Sequence, residues 1–352
     1  MKLTEENAVD YLEAAGVVPT DAEATVRPLG GGVSNTVLRV TFGDDAVVLK
    51  QPLANLAVDD DWPADTTRVH NEAAAARAYG DVLESAVIEN VRVPEIRFES
   101  ETDHVIATSA APEEAVPWKS ELLDGYVDPT VAELVGRCLG AVHARSAGDS
   151  AHRTQFASSK PFEQLRLDPY HRTTARRHPD VSDAILAEVE RIAGVRETLV
   201  HGDYSPKNVL VDREGTPSKC DPPTVWIIDF EVAHWGDPAF DVAFMLNHLY
   251  IKSVYCNPSG NDPGRADDPY LHAADSFWRA YRECVDWPLE PSIVRELAIL
   301  MLARVDGKSP VEYVTSPETK GVLRTVAKRA LMTDASTIDD FEALLVEERA
   351  GR

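Results

Sequence analysis

The alternation of hydrophobic and polar residues changes character near residue 110. Before that point, short runs alternate between apolar and polar residues, as in the stretch VRPLGGGVSNTVLRVTFGDDAVVLK of residues 26–50. This period of two predicts strands with one buried face and a β-hairpin at the glycines. With the runs VRVPEIRFES and HVIATSAA, it predicts an antiparallel sheet of about five strands, beside a helix in the Ala-rich segment before residue 80.

From Pro129 onward, the apolar residues recur at helical spacing, as in VAELVGRCLGAVHARSAG. Helical patterns continue through the rest of the sequence and are interrupted mainly around residues 198–241. We therefore predict an α+β protein of two lobes. The N-terminal lobe, residues 1–108, is predicted as an antiparallel sheet plus a helix, and the C-terminal lobe, residues 109–352, as mostly helical.

The interruption in the helical pattern contains the densest candidate chemistry. It reads HGDYSPKNVLVD and, after a polar loop, VWIIDFEVAHWGDPAFD. Two short apolar runs within it predict buried strands that would bring Asn208 and Asp229 to the mouth of one cleft. Asp203 lies five residues before Asn208. Carboxylates can accept the proton of a substrate hydroxyl and bind Mg²⁺, so this spacing favours phosphoryl transfer from ATP–Mg²⁺ over ordinary turn residues.

The same residues carry a family resemblance. HGDxxxxN followed by IIDFE and GDPAFD resembles the aminoglycoside phosphotransferase/choline kinase superfamily, small-molecule kinases with a bilobal protein-kinase-like fold. The resemblance covers roughly residues 25–330. It implies that Asp203 is the catalytic base and that Asn208 and Asp229 bind Mg²⁺.

Four neighbouring residues receive further predictions from the same motif. Glu231 is a candidate ligand of a second metal ion, with a structural acid as the alternative. Lys207 is positioned in the sequence either to reach the γ-phosphate or to face solvent. His201 and Asp241 are predicted to support the loop rather than to touch the substrate.

The predicted hairpin supplies candidate ATP contacts. Glycines let backbone N–H groups approach a phosphate, and Ser and Asn beside them can add donors; an ordinary hairpin turn is the alternative. Lys50 ends an apolar strand, like the Lys of the VAIK motif that reaches the ATP phosphates. Glu72 is its predicted partner, with a solvated helix-face Glu as the alternative. The predicted ATP-contacting residues are Gly30, Gly31, Gly32, Ser34, Asn35, Lys50, Glu72 and Lys207.

Charge placement suggests the nature of the acceptor. Two basic spots interrupt an acidic chain, PFEQLRLDPYHRTTARRHP at residues 161–179 and LARVDGKSPVEY at residues 302–313. Guanidinium groups suit phosphate or carboxylate recognition, with salt bridges to the abundant acids as the alternative. The candidate substrate-binding residues are Arg172, Arg176, Arg177, Arg304 and Lys308.

The predicted function is therefore a kinase for a ribose-type sugar that already bears an anionic group, such as ribose 1-phosphate. Trp62-Pro63, Arg68 and Glu72 resemble the corresponding stretch of methylthioribose kinases, whereas Asn208 departs from that branch. Methylthioribose is thus a further candidate acceptor. The alternatives are an aminoglycoside or choline/ethanolamine phosphotransferase and, from another class, a nucleotide-binding pseudokinase.

The composition limits the kinds of partner that the protein is expected to bind. The formal net charge is −24, and 10 of the 35 basic residues are Lys. A surface this negative repels nucleic acid and anionic membranes, so we expect a small-molecule partner; the resemblance also allows a homodimer. The dispersed acids resemble halophilic proteins, in which salt screens self-repulsion. Four cysteines without a CxxC pair, and no run of roughly 18 apolar residues, predict a cytoplasmic protein.

Overall fold

An antiparallel sheet occupies the N-terminal part of the chain. The computed structural model describes residues 1–30, 34–57, 62–214, 221–257 and 265–351. Its strands are β1 (Ala24–Pro28), β2 (Asn35–Phe42), β3 (Asp45–Pro52), β4 (Val91–Arg92), β5 (Ile96–Ser100), β6 (Val105–Ser109), β7 (Val116–Pro117), β8 (Thr198–Val200), β9 (Val209–Asp212), β10 (Thr224–Ile227) and β11 (His234–Gly236). The five-stranded sheet has the order β1-β2-β3-β6-β5, with each neighbouring pair antiparallel.

The register of this sheet follows from the alternation in the sequence. The hairpin pairs Leu38 with Leu49 and Val40 with Val47, and all four side chains are buried in one apolar cluster. Successive side chains of a strand point to opposite faces. Lys50 therefore lies on the face opposite to Leu49, where it lines the large cleft of the molecule.

Helices make up most of the remaining chain. They are α1 (Ala8–Ala14), α2 (Arg68–Ala86), α3 (Trp118–Leu123), α4 (Pro129–Ser146), α5 (Ser150–Gln155), α6 (Lys160–Phe162), α7 (Thr173–Arg177), α8 (Ser182–Gly194), α9 (Pro238–Cys256), α10 (Pro269–Arg282), α11 (Glu290–Asp306), α12 (Pro317–Met332) and α13 (Ile338–Ala350). A π-helix spans Glu163–Arg172, between α6 and α7. Among the described helices, only α1 and α2 come before β6, the strand of this sheet that is last along the chain. The predicted α+β arrangement is therefore confirmed. The lobe boundary at residue 108 stays a prediction.

The core of the helical part forms around α9 and α4. Helix α9 begins at Pro238, and Asp237 caps it by accepting a hydrogen bond from the backbone N–H of Ala239 at 2.9 Å. Helices α4 and α10 pack closely because α4 contains glycines. A Cβ atom at Gly136 would lie 2.2 Å from the carbonyl oxygen of Phe277 on α10.

A buried ion pair fixes the last helix. Arg349 on α13 lies 2.5 Å from the carboxylate of Asp268, the N-cap of α10, and both side chains are almost fully buried. Arg349→Met leaves the Asp268 carboxylate without its cation. We expect this change to lower the free energy of unfolding by about 3–5 kcal/mol, measured by chemical denaturation.

Arg329→Met provides the matched control for that measurement. Arg329 on α12 also pairs with carboxylates of α13, Glu347 and Glu348, but 35% of its side chain is exposed. Exposed pairs contribute little to stability because water screens them, so the control variant should unfold close to the wild type. Equal destabilisation by the two variants would contradict the assignment of Arg349 as the anchor.

Among the helices of the part of the chain that the structure describes, none combines the length and the hydropathy needed to cross a bilayer.

Candidate active site

The segment between β8 and β9 is held in place by Asp241 of α9. The Asp241 carboxylate accepts hydrogen bonds from the backbone N–H groups of His201 at 2.6 Å and Gly202 at 2.8 Å. Gly202 has a φ of +77°, and a Cβ there would lie 2.7 Å from the Val232 carbonyl oxygen. Glycine is therefore required at this turn. This agrees with the predicted supporting role of Asp241.

The His201 imidazole joins this loop to the segment after β10. Its Nδ1 lies 3.2 Å from the Asp203 backbone nitrogen and its Nε2 lies 3.2 Å from the Ile228 carbonyl oxygen. Burial lowers the pKa of His201, so the ring is neutral and offers one donor and one acceptor. Nδ1 therefore accepts and Nε2–H donates, which places Asp203 and Asp229 relative to each other.

Asp203 is buried and surrounded by donors. Its Oδ2 lies 2.8 Å from the Lys207 ammonium and accepts a hydrogen bond of 2.8 Å from the Asn208 amide. Its Oδ1 lies 2.8 Å from Arg166 Nη2, yet no hydrogen-bond donor is directed at it among the described residues. Burial opposes ionisation, but Arg166 and Lys207 outweigh it and hold the pKa of the Asp203 carboxyl below its usual range. The Asp203 carboxylate is thus ionised and lines the cleft, as a group that accepts a hydroxyl proton must.

The pairing of β9 with β10 brings Asn208 and Asp229 close together. Strands β9 and β10 are antiparallel, and the Ile228 backbone N–H donates to the Asn208 carbonyl at 3.0 Å. The Asn208 amide nitrogen donates to Asp203, which turns its side-chain oxygen away from that carboxylate. Asp229 has a φ of +71°, a conformation that redirects its side chain just after β10.

These oxygens fit a magnesium ion bound together with a nucleotide. Mg²⁺ usually takes one or two protein oxygens and completes its octahedron with phosphates and water. Asp229 uses Oδ1 for Lys50, at 3.1 Å, and no hydrogen bond to its Oδ2 is found within the described ranges. The same residues contain no group of three His, Cys, Asp or Glu side chains able to hold a metal ion without other ligands.

Lys50, Glu72 and Asp229 form a partly buried charged triad. The Lys50 ammonium lies 2.5 Å from Glu72 and 3.1 Å from Asp229. Burial opposes the charge of Lys50, but the two carboxylates raise its pKa above the usual range. Burial raises the pKa of Glu72 to about 7, with Lys50 opposing the shift. The predicted Lys50–Glu72 pair is therefore present, and it directs the ammonium group towards Asp229.

Arg68 ties the glycine turn to Glu231. Arg68 is buried, its Nε donates to Glu231 Oε2 at 2.9 Å, and its Nη2 donates to the Ser34 carbonyl. Asn35 donates to the same Glu231 oxygen at 3.0 Å. Glu231 thus already has two donors, and its role as a metal ligand stays a prediction.

One cleft of about 870 Å³ collects most of the predicted residues. The predicted residues that line it are Gly30, Ser34, Asn35, Lys50, Glu72, Asp203, Lys207, Asn208, Asp229, Glu231 and Lys308. Gly31 and Gly32 lie outside the described residues. Lys207 lines the cleft and pairs with Asp203, and about half of its side chain is exposed. Both predicted roles of Lys207, the position beside the phosphates and the contact with solvent, therefore stay predictions.

Four of the five candidate substrate cations are not among the cleft-lining residues. Arg172 pairs with Glu163, Arg176 lies 3.8 Å from Asp168, and Arg177 donates to backbone carbonyls at the end of α11. The salt-bridge alternative therefore describes Arg172 and Arg176. Arg304 lies next to the cleft, where it donates to the hydroxyl of Tyr170, a lining residue, at 3.2 Å.

Arg166 is the site residue to which the sequence assigned no role at the catalytic loop. It projects from the π-helix, lies 2.8 Å from Asp203 and donates to the Gly202 carbonyl at 2.8 Å. Its guanidinium also lies 5.3 Å from the centre of the Tyr170 ring. The one sequence signal was Pro169 inside a helical segment, because proline disrupts α-helical hydrogen bonding.

The chain matches one protein family and is similar to several known proteins. Residues 25–284 match the family described as APH, phosphotransferase enzyme family. A 4-hydroxytryptamine kinase of Psilocybe cubensis is 25% identical over 281 residues, which cover 72% of this chain and 74% of that protein. A methylthioribose kinase of Exiguobacterium sibiricum is 21% identical over 308 residues, covering 79% of this chain and 72% of that protein. A solved spectinomycin phosphotransferase, APH(9)-Ia, in complex with ADP and spectinomycin, aligns with 99% of this chain and 98% of its own length at 12% identity and a TM-score of 0.48.

Proposed function

This chain belongs to the phosphotransferase enzyme family, and from that premise we propose that it transfers the γ-phosphate of ATP to a hydroxyl of a ribose-type sugar. Family membership confirms the predicted superfamily and the predicted enzyme class, an ATP-dependent phosphotransferase with a small-molecule hydroxyl as acceptor. The sugar, the metal ion and the roles of individual residues are parts of the proposal.

Asp203 is the proposed base. The observation that carries this assignment is that the ionised Asp203 carboxylate lines the cleft and is held there by Arg166, Lys207 and Asn208. The acceptor hydroxyl donates to this carboxylate, and its own oxygen forms the new bond to the γ-phosphorus. The bond between that phosphorus and the β–γ bridging oxygen breaks, ADP leaves, and the hydroxyl proton passes to Asp203.

Asn208 and Asp229 are the proposed magnesium ligands, and Mg²⁺ bound there would neutralise charge on the ATP phosphates. Lys50, held by Glu72, supports the phosphates from the N-terminal side of the cleft. Gly30, together with Ser34 and Asn35, gives the turn through which backbone and side-chain donors reach them.

A ribose derivative with an anionic group, such as ribose 1-phosphate, is the proposed acceptor. Lys308 lines the cleft and Arg304 contacts its lining, which supports an anionic substrate. The similarity to a methylthioribose kinase supports a ribose ring and keeps methylthioribose as a second sugar to test.

Two rival functions make different demands on the site. An aminoglycoside, choline or ethanolamine acceptor is cationic, and it would favour carboxylates rather than Lys and Arg on the acceptor side. A pseudokinase would bind nucleotide without turnover, but Lys50, Asp203, Asn208 and Asp229 are all present in the cleft. We therefore rank both below a sugar kinase.

The test is ADP formation at about 1 M KCl, where the acidic surface is screened, with Mg²⁺ and a panel of acceptors. The panel contains ribose 1-phosphate, ribose, methylthioribose, choline and kanamycin. Turnover with a ribose derivative supports the proposal. Turnover restricted to choline or kanamycin would replace the acceptor, and ATP binding without any turnover would favour the pseudokinase.

A further inference from the structure

A lysine of α9 is completely buried in the helical part of the protein. Lys252 has none of its surface exposed. Its ammonium lies 3.3 Å from the His248 carbonyl oxygen and 3.5 Å from the Tyr313 hydroxyl, both long for hydrogen bonds. Within the described ranges, no carboxylate pairs with it. Because a buried ammonium without a counter-ion costs folding free energy, its position calls for another explanation.

Arg304 on α11 is in a similar situation. Its Nη1 donates to Tyr170 and to the carbonyl and hydroxyl oxygens of Ser309, whereas its buried Nε has no hydrogen-bond partner. No ion pair of Arg304 is found in the part of the chain that the structure describes. Although the protein has a net charge of −24, neither Lys252 nor Arg304 makes an ion pair within the described residues; the acid that attracts both is Glu312, which pairs with Lys119.

Two further lysines extend this basic region into the cleft. Lys119 on α3 lines the cleft, lies 5.8 Å from the centre of the Tyr313 ring and pairs with Glu312, whose side chain is 66% exposed. Lys308 also lines the cleft, 4.9 Å from the centre of the Trp62 ring. We refer to Lys119, Lys252, Arg304 and Lys308 as the cationic wall.

The cationic wall is connected to Asp203 through Tyr170. On one side, the Tyr170 hydroxyl accepts from Arg304 at 3.2 Å. On the other side, the Tyr170 ring contacts the guanidinium of Arg166, which in turn lies 2.8 Å from Asp203. The wall is thus built on α3, α9, α11 and the segment after α11, and it is connected to Asp203 through Tyr170 and Arg166 rather than through Lys50.

We propose that the cationic wall binds an anionic group of the acceptor, a phosphate or a carboxylate, while the acceptor's hydroxyl faces Asp203. Lys119, Arg304 and Lys308 contact the anion, and Lys252 acts from behind Tyr313 as a positioning charge. This inference rests on the proposed function and names the region of the protein that binds the anionic group of that substrate. An anion bound there would add negative charge beside Lys252 and Arg304, which make no ion pair within the described residues.

The kinetic test compares matched acceptors and matched variants. Lys252→Met and Arg304→Gln should raise KM for ribose 1-phosphate about 10- to 100-fold, with KM for free ribose and for ATP nearly unchanged. Arg304→Lys should restore part of the loss. Lys328→Met removes a cation that pairs with Asp180 outside the cleft, so it controls for net charge.

A second pair of ligands shows whether the cationic wall binds a phosphate or a carboxylate. Ribose 1-phosphate and ribonate present a phosphate and a carboxylate on similar carbon skeletons, and their binding to the wild type and to Lys252→Met can be measured by calorimetry. The ligand whose affinity falls in the variant identifies the group that the wall accepts. Calorimetry also tests the wall if no acceptor gives turnover, which separates failure of this inference from failure of the proposed function.

Protein stability shows whether Lys252 stabilises the fold or is held there at a cost to it. Burial lowers the pKa of Lys252 from its ordinary value of 10.5 to about 7, and neighbouring cations add to this. Lys252→Met should therefore unfold at a higher temperature than the wild type at pH 7. The unfolded wild type binds a proton that the folded state lacks between pH 7 and 10.5, so the difference should shrink as the pH rises through that window. The groups that face Lys252 are His248, Cys256, Lys119, Arg304, Glu312 and Tyr313.

Three results would overturn the proposal. The first is an unchanged affinity for every anionic ligand in Lys252→Met and Arg304→Gln. The second is an increase in KM for ATP instead of the acceptor, which would assign the wall to the nucleotide. The third is a loss of stability in Lys252→Met together with an equal increase in KM for ribose and for ribose 1-phosphate.

Discussion

Asp203→Asn is expected to lower kcat by about two to four orders of magnitude, with a small change in KM for ATP. The amide that replaces the carboxylate cannot accept the hydroxyl proton, and it leaves Arg166 and Lys207 without their counter-charge. Steady-state ADP formation with the best acceptor of the panel, at saturating ATP and Mg²⁺, measures the effect.

Asp168→Asn is the matched control for this variant. Asp168 lies on the same π-helix as Arg166, but it is more than half exposed and its nearest cation is Arg176 at 3.8 Å. The control should keep wild-type kcat. If Asp203→Asn retained a third or more of wild-type kcat while folding normally, Asp203 would be no more than a positioning group.

Asp229→Asn is expected to have the second largest effect. Loss of one carboxylate ligand weakens charge neutralisation on the transferred phosphoryl group by several kcal/mol, and about 3 kcal/mol corresponds to a roughly hundredfold lower kcat. The Mg²⁺ concentration for half-maximal activity should also rise. The measurement is a Mg²⁺ titration of the initial rate at fixed ATP.

Glu231→Gln distinguishes the two interpretations of the neighbouring carboxylate. Glu231 accepts hydrogen bonds from Arg68 and Asn35, so its replacement should lower thermal stability by leaving the buried Arg68 guanidinium unpaired. Its Mg²⁺ titration should match the wild type. A shift in that titration as large as the Asp229→Asn shift would instead make Glu231 a metal ligand.

Much of the fold and of the catalytic loop was predictable because the relevant information is local. Alternation over residues 26–50 specifies both the strands and the face on which Lys50 lies. The spacing of Asp203, Asn208 and Asp229 already contains the two strands that bring them together. A helix start that carries Glu72 completes the Lys50 pair, since its ammonium needs one buried acid within reach.

The basic residues show where local reasoning ends. Arg166, Arg172, Arg176 and Arg177 look alike in the sequence, yet only Arg166 reaches Asp203. That choice depends on the π-helix, in which Pro169 and the packing of the segment alter the residues per turn and hence the direction of each side chain.

Lys252 also shows what the local sequence predicts and what depends on the tertiary structure. Its sequence context, an apolar helix, predicts a buried helix face but says nothing about which side chains from α3, α11 and the Tyr313 segment surround it. Sequence by itself determined the sheet, the catalytic loop and the enzyme class, because each depends on short-range periodicity and spacing. Only the tertiary structure decided which cations gather beside the cleft, because the energy of a buried charge depends on neighbours that are distant along the chain.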